Sequence, residues 1–498
     1  MQEKDNVTVI NILRHSVKFN VVNIVSRGLA FLATIVIATV LRPEEYGIIG
    51  FLWLWLFYAD LINPGMDSAA SREMPYLLGR GENEKAEYLQ NVAITGKLLY
   101  SLLPFTVMTL ASFFYSNELI RIGLILTAIR YIVIVNVNNW SGFNQARRKF
   151  NCVALGNFVR GITTQPLTIL LVFLLRVYGV LIAPIVGALL EFLYYIKKDG
   201  INYRFRLDLN ETRKLVKIGL PLVLLTFIYW GYRMADRTMV AIFLSLRDLG
   251  LYTFTATIVA ATISLFADFG GVLQPILWTN LGKAKNYIDE FKSLRRIAVF
   301  ISIAAAVSIT ISQIGFYLLT HLLAKNYIEG IYVFNILALS IFLVSITIIP
   351  SVILNSSVIN KQTLNAKIRS IGLILNIILN YLIITMGFGI VGVAAATIVT
   401  YILVALLLFF VIRGYMFYSG EEFLKFMVTI FTPFIVSFIL CLAVIQLEGI
   451  VQNTYTCVLY LLILTGATWL TVLKLLYKEY LPTRKLVDIV LNRVKTIF

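Results

Sequence analysis

Arg27, Lys97, Arg130, Arg160, Arg233 and Arg237 each fall inside a long apolar run. A charge in such a place is costly, so it is a functional candidate by default. A guanidinium presents a rigid fork matched to phosphate oxygens, and an ammonium supplies a compact charge. Several such cations around one cavity would replace the hydration that a phosphate or pyrophosphate loses on leaving water. The carboxylates Asp60, Asp236 and Asp268 offer a second chemistry. Each can take a proton or hold Na⁺, coupling movement of a solute to an ion gradient, or it can fix helices through a salt bridge. Arg233, Asp236 and Arg237 lie at i, i+3 and i+4, one face of a helix, so pairing among them is geometrically easy. Lys97 and Arg160 are close enough to the ends of their runs to reach a polar interface. Glu191 reads most simply as a headgroup-level residue.

The elements that would position these groups are long helices. The chain has 498 residues, 59% hydrophobic and only 14% charged. The apolar residues come in blocks of transmembrane length. They predict spans at 17–41, 48–66, 89–114, 119–141, 153–175, 177–196, 215–243, 250–278, 295–320, 331–353, 365–387, 389–412, 422–447 and 452–477. The expected fold class is therefore an all-α integral membrane protein of about 14 transmembrane helices. Barrel strands would be shorter and alternating. Arg27 is ten residues into the first span, about 15 Å along the axis, too deep to snorkel easily.

The net charge of +17 is unevenly distributed. Basic residues crowd "NQARRKF", "KKDGINYRFRLDLNETRKLVK", "LGKAKNYIDEFKSLRR" and the C-terminal tail, whereas Arg42, Arg176, Arg247 and Lys325 stand in the opposite gaps. The positive-inside rule places both termini in the cytoplasm of a cell with its chain in the plasma or bacterial inner membrane. This topology, with attraction to anionic membrane lipids, accounts for the charge without nucleic acid. Cys152, Cys441 and Cys457 show no disulfide or metal spacing, and two histidines, His15 and His321, make no metal cluster. Gly96-Lys97 is followed by leucine and lacks the phosphate-loop pattern. No catalytic constellation and no bound cofactor is expected, beyond H⁺ or Na⁺ coupling.

Two short stretches suggest duplication. "LRPEEYG" (41–47) follows the first span and "LRDLGLY" (246–252) follows the seventh. An intramembrane arginine precedes each, Arg27 and Arg233, and an Ala-Asp follows each, at Asp60 and Asp268. The offset is about 205 to 208. The implied organisation is two six-helix lobes in parallel orientation, with the substrate between them. The boundaries are 1–197 for the N-lobe, 198–214 for a linker, 215–413 for the C-lobe, 414–477 for two extra helices and 478–498 for a basic tail. Prolines 166 and 184, inside spans, suit lobes that bend. The aromatic runs "WLWLFY" (53–58) and "IYWGY" (228–232) sit beside the cationic positions, where core packing is the simpler reading and sugar stacking the alternative.

"NVVNIVSRGLAFLATIVIATVLRPEEYGIIGF" resembles the first helix and turn of the polysaccharide and oligosaccharide flippases of the Wzx type. "LVKIGLPLVLLTFIYWGYRMADRTMVAIFLSLRDLGLY" resembles the start of their second half. That family is a branch of the MOP superfamily, which also holds the multidrug (MATE) exporters and lipid II flippases. The resemblance implies an alternating-access flippase moving polyprenyl-pyrophosphate-linked oligosaccharide to the outer leaflet for cell-surface polysaccharide such as O-antigen. The extra helices would guide the lipid tail, and a polysaccharide polymerase would be a partner. It leaves open a lipid II flippase or a cation-coupled multidrug antiporter.

Overall fold

The computed structural model of the chain describes residues 25–199, 203–283, 287–450, 463 and 465–470. Every regular element among them is helical. In the first compact unit, Met1–Phe254, the elements are α1 (Val25–Val40), α2 (Pro43–Ile62), α3 (Met66–Gly79), α4 (Asn83–Ser112), α5 (Glu118–Ala146), α6 (Phe150–Leu175), α7 (Val177–Asp199) and α8 (Leu209–Phe243). The start of α9 (Leu246–Lys283) also belongs to it. The second unit, Thr255–Phe498, takes the rest of α9, then α10 (Tyr287–Leu322), a short 3₁₀ turn, α11 (Gly330–Ile346), α12 (Ile348–Leu354), α13 (Gln362–Thr385), α14 (Gly389–Met416) and α15 (Gly420–Ile450).

Eleven helices of the described residues are long and apolar enough to cross a membrane. Most of the expected span at 452–477, the first residues of the span at 17–41 and the tail at 478–498 lie outside the described residues. One element was not foreseen. Residues 66–79, of which all but the first fall in the gap between the expected spans 48–66 and 89–114, form α3, which buries Met66, Ala69, Ala70 and Met74 on one stripe at helical spacing. That stripe joins a core with Val92 and Ala93 of α4, Trp140 and Phe143 of α5 and Tyr195 of α7.

The membrane-length helices differ in how far they are buried. The window of α11 and α12 is 78% buried, that of α6 only 11%. A helix apolar all round is stable in either place, because lipid tails are as apolar as a protein core. In the second unit, Phe316 and Phe334 stack with centroids 4.0 Å apart. A buried amide fastens α13 to α14, Asn376 Nδ2 donating to Thr397 Oγ1 at 3.3 Å, and within α13 Asn380 Nδ2 donates to Asn376 Oδ1 at 3.2 Å.

The paired turns find their explanation in helix capping. α2 begins with Pro43 at its first position, and Glu45 accepts a hydrogen bond from the Arg42 N–H at 2.9 Å. α9 begins with Leu246, and Asp248 accepts from the Ser245 N–H at 3.2 Å while its own N–H donates to Ser245 Oγ at 3.1 Å. Each start thus carries an acid at the third helical position that reaches back to the cap. Capping sets the register at 203, with Pro43 matching Leu246 and Gly47 matching Gly250, in place of the 205 read from the Leu-Arg dipeptides. The two glycines bring the helix starts into backbone contact: a Cβ on Gly250 would meet the Gly47 nitrogen at 2.9 Å, and one on Gly47 would meet the Gly250 nitrogen at 3.2 Å. Only glycine leaves room for this approach. Arg27 stands 13 residues before the end of α1 and Arg233 ten before the end of α8. They are therefore offset by about one helical turn, so the echo is one of turn geometry, and the intramembrane arginines are not its matched members.

Both carboxylates of the first turn are also engaged. Arg176, itself left-handed at φ 51°, forks onto Glu45 at 2.7 and 2.5 Å, and Arg247 approaches Glu44 at 3.4 Å.

Candidate functional site

Three groups of the expected charges assemble within the first unit. The first joins α5, α6 and α7. Arg160 pairs with the fully buried Glu191 at 3.2 Å and donates to Asn138 Oδ1 at 3.1 Å. Tyr195 OH donates to Glu191 at 2.9 Å. Glu191 is thus enclosed in the helix packing. Arg130 is close enough to Arg160 to feel its charge, and its Nε is buried with no hydrogen-bond partner among the described residues. Arg160 is thus paired with Glu191, whereas Arg130 meets the like charge of Arg160, so the group carries an excess positive charge.

The second group spans α2, α3 and α4. Lys97, with its side chain 7% exposed, bonds Asp67 at 2.5 Å. Asp67 was not among the expected charges because it falls in the gap between the expected spans 48–66 and 89–114. The spacing of Met66, Ala69, Ala70 and Met74 was the available signal. Asp60 lies within range of both charges but is bonded to neither: among the described residues no side chain hydrogen-bonds its carboxylate. It opens into a cleft of about 440 Å³ lined by Phe57, Asn63 and Ser68 and, from α8, by Phe227 and Trp230. Phe57 and Phe227 stack at 5.2 Å, closing one side. Gly65 and Gly219 approach closely beside the lining residues Asn63 and Val223. Gly65 sits at φ 72°, and a Cβ on it would meet the Gly219 oxygen at 2.6 Å.

The third group is on α8. The Arg233 guanidinium lies over the Trp230 ring at 5.2 Å, and the buried Arg237 lies 6.0 Å from the Trp53 ring centre. Buried Asp236 accepts from Tyr252 OH at 2.8 Å. Of these two cation–π contacts the one at Arg237 is made by a buried guanidinium, where it adds to an arginine's tolerance of an apolar site. Arg27 is exposed on α1, whose Ser26 packs on Gly161 of α6. Asp268 is exposed on the part of α9 that belongs to the second unit. Among the described residues no group of three or more His, Cys, Asp or Glu could hold a metal.

A sequence profile of the family described as polysaccharide biosynthesis protein matches residues 13–280, more than half of the chain. No curated protein matches. Among solved structures, the lipid II flippase MurJ in an inward closed conformation aligns with a TM-score of 0.69 at 16% identity, over 93% of this chain and 99% of its own. An inward-facing multidrug resistance MATE family transporter of the MOP superfamily aligns at 0.58 and 14% identity, over 78% of this chain and 95% of its own. A MOP superfamily transporter from Pyrococcus furiosus, described by a reversed polarity of its binding pocket, aligns at 0.53 and 15% identity, over 84% and 96%. The chain is similar to all three in fold: an all-α, multi-pass membrane architecture of the MurJ and MATE kind.

Proposed function

The chain belongs to the polysaccharide biosynthesis protein family, and from that premise we propose that it is a flippase for polyprenyl-pyrophosphate-linked oligosaccharide. The observation that carries the reading is the arginine surplus at Arg130 and Arg160. Two guanidinia with one carboxylate, one of them with a buried donor unfilled, favour an anion over an organic cation. The pyrophosphate is the anion that such a lipid must carry through hydrocarbon. Arg27, Arg233, Arg237 and Lys97 are further candidates for its path. Lys97 is already committed to Asp67, so it would serve only after that pair opens. Asp60, Asp236 and Asp268 are the candidates for ion coupling or for salt bridges between lobes.

The proposed cycle is alternating access. The headgroup enters from the cytoplasmic side, its polyprenyl tail stays in lipid beside the last two helices, and the lobes at 1–197 and 215–413 rock to release the sugar outside. Both termini are cytoplasmic in this reading and the membrane is the bacterial inner or plasma membrane. Replacing Arg130 with Ala should lower delivery of glycan to the outer face at least tenfold, measured by surface labelling in cells at matched protein level, and Arg130→Lys should restore only part of it. Normal delivery by Arg130→Ala would overturn the assignment. The alignment with the lipid II flippase favours a second reading, a peptidoglycan precursor as substrate. Its chemistry is the same, and complementation of a strain lacking its lipid II flippase separates the two.

A further inference from the structure

The Asp60 cleft has a composition opposite to the arginine groups. Its lining holds one carboxylate and no cation, together with the amide of Asn63, the hydroxyl of Ser68 and the aromatic rings of Phe57, Phe227 and Trp230. An anion such as pyrophosphate finds no cationic partner among the lining residues. What fits is a ligand with several hydroxyl donors for the carboxylate and an apolar C–H face for a ring. The side-chain oxygen of Asn63 is occupied by the Gly65 N–H at 3.0 Å, so its NH₂ is the end left to donate to a ligand oxygen. Trp230 is 42% exposed, enough to present ring surface to the cleft.

We propose that this cleft is a saccharide subsite, taking one pyranose ring of the transported glycan against Trp230 with its hydroxyls on Asp60. The proposal rests on the flippase reading above and adds the place where the sugar, rather than the phosphate, is held. An organic cation is the competing ligand, since carboxylates and aromatic rings also attract cations. Two features count against it. The Arg233 guanidinium already lies on the Trp230 ring, 5.2 Å from its centre, and would repel a second cation. Lys97 also acts on Asp60, weakening its pull on further positive charge. A neutral, hydroxyl-rich ring suffers neither penalty. The cleft volume of about 440 Å³ falls in the range of small-ligand sites.

The test uses the full-length protein in lipid nanodiscs and saturation-transfer NMR. The probes are methyl glycosides of common hexoses and N-acetylhexosamines, with tetraethylammonium as the cation arm. At least one glycoside should bind, and its dissociation constant should rise about five- to tenfold in Trp230→Leu, the scale of one aromatic contact. Asp60→Asn should weaken binding comparably, and Trp230→Phe, which keeps a ring, should retain part of it. Glycoside binding should persist in Arg130→Ala, so a failure of the anion assignment and a failure of this subsite are separate results. Binding of no glycoside, glycoside binding unchanged in both Trp230→Leu and Asp60→Asn, or binding of tetraethylammonium alone would each overturn the proposal.

Discussion

Gly65→Ala gives the most direct check on the geometry around the cleft. Gly65 ends the link between α2 and α3 and packs against Gly219 of α8. Two costs are built into the change. At φ 72° an L-residue with a Cβ pays about 1–2 kcal/mol. The new Cβ would also lie 2.6 Å from the Gly219 oxygen and 2.8 Å from Val223 Cγ2. Ordinary carbon–oxygen contacts begin near ~3.3 Å, so the α2–α3 link and α8 must part by roughly 0.7 Å. Forced separation of packed elements costs about 1–3 kcal/mol. The sum is roughly 2–5 kcal/mol. Gly81→Ala separates the terms, because Gly81 has a similar φ of 78° but nothing within 4 Å of its Cβ. Thermal unfolding in nanodiscs should rank wild type above Gly81→Ala and Gly81→Ala above Gly65→Ala. The gap between the two variants is about 1–3 kcal/mol, several degrees in melting temperature. Equal stability of the two variants would refute the backbone contact between Gly65 and Gly219.

Lys97→Met leaves the Asp67 charge without its ammonium and should destabilise by about 3 kcal/mol, whereas the double variant Lys97→Met, Asp67→Leu should recover most of the loss; a melting series of the two checks it. Asp208 caps α8 by accepting from the N–H groups of Asn210 and Glu211, and the Tyr88 hydroxyl, followed by these backbone donors, holds its carboxyl below the ordinary Asp value of 3.8. Its stabilising contribution is therefore complete above that value and lost as pH falls through the lower folded one. Hydrogen exchange at residues 203–208 should rise only below pH 3.8, and Asp208→Asn should abolish that acid step.

Much of the architecture is set by the one-dimensional pattern. Apolar runs of membrane length must become helices, since each buries its own backbone hydrogen bonds in lipid. Capping and turn chemistry are local too, which is why "LRPEEYG" and "LRDLGLY" read as related turns after the first and seventh spans, although that each also opens the next helix emerged from the structure. Their register required the cap itself: the match is Glu45 with Asp248, which local hydrogen bonds decide, not Leu41 with Leu246.

Partnership was the part left to tertiary structure. The sequence marks Lys97, Arg160 and Glu191 as costly charges but contains no signal for which meets which. Lys97 finds Asp67 across 30 positions, on a helix too weakly apolar to stand out, and Arg160 finds Glu191 across 31. Asp60, indistinguishable from these in sequence, is instead left facing an aromatic cleft. Charge cost depends on residue type and depth, which are local and additive along the chain. Charge pairing depends on helix rotation and crossing, which small-residue contacts such as Gly65 on Gly219 fix only after the helices have packed.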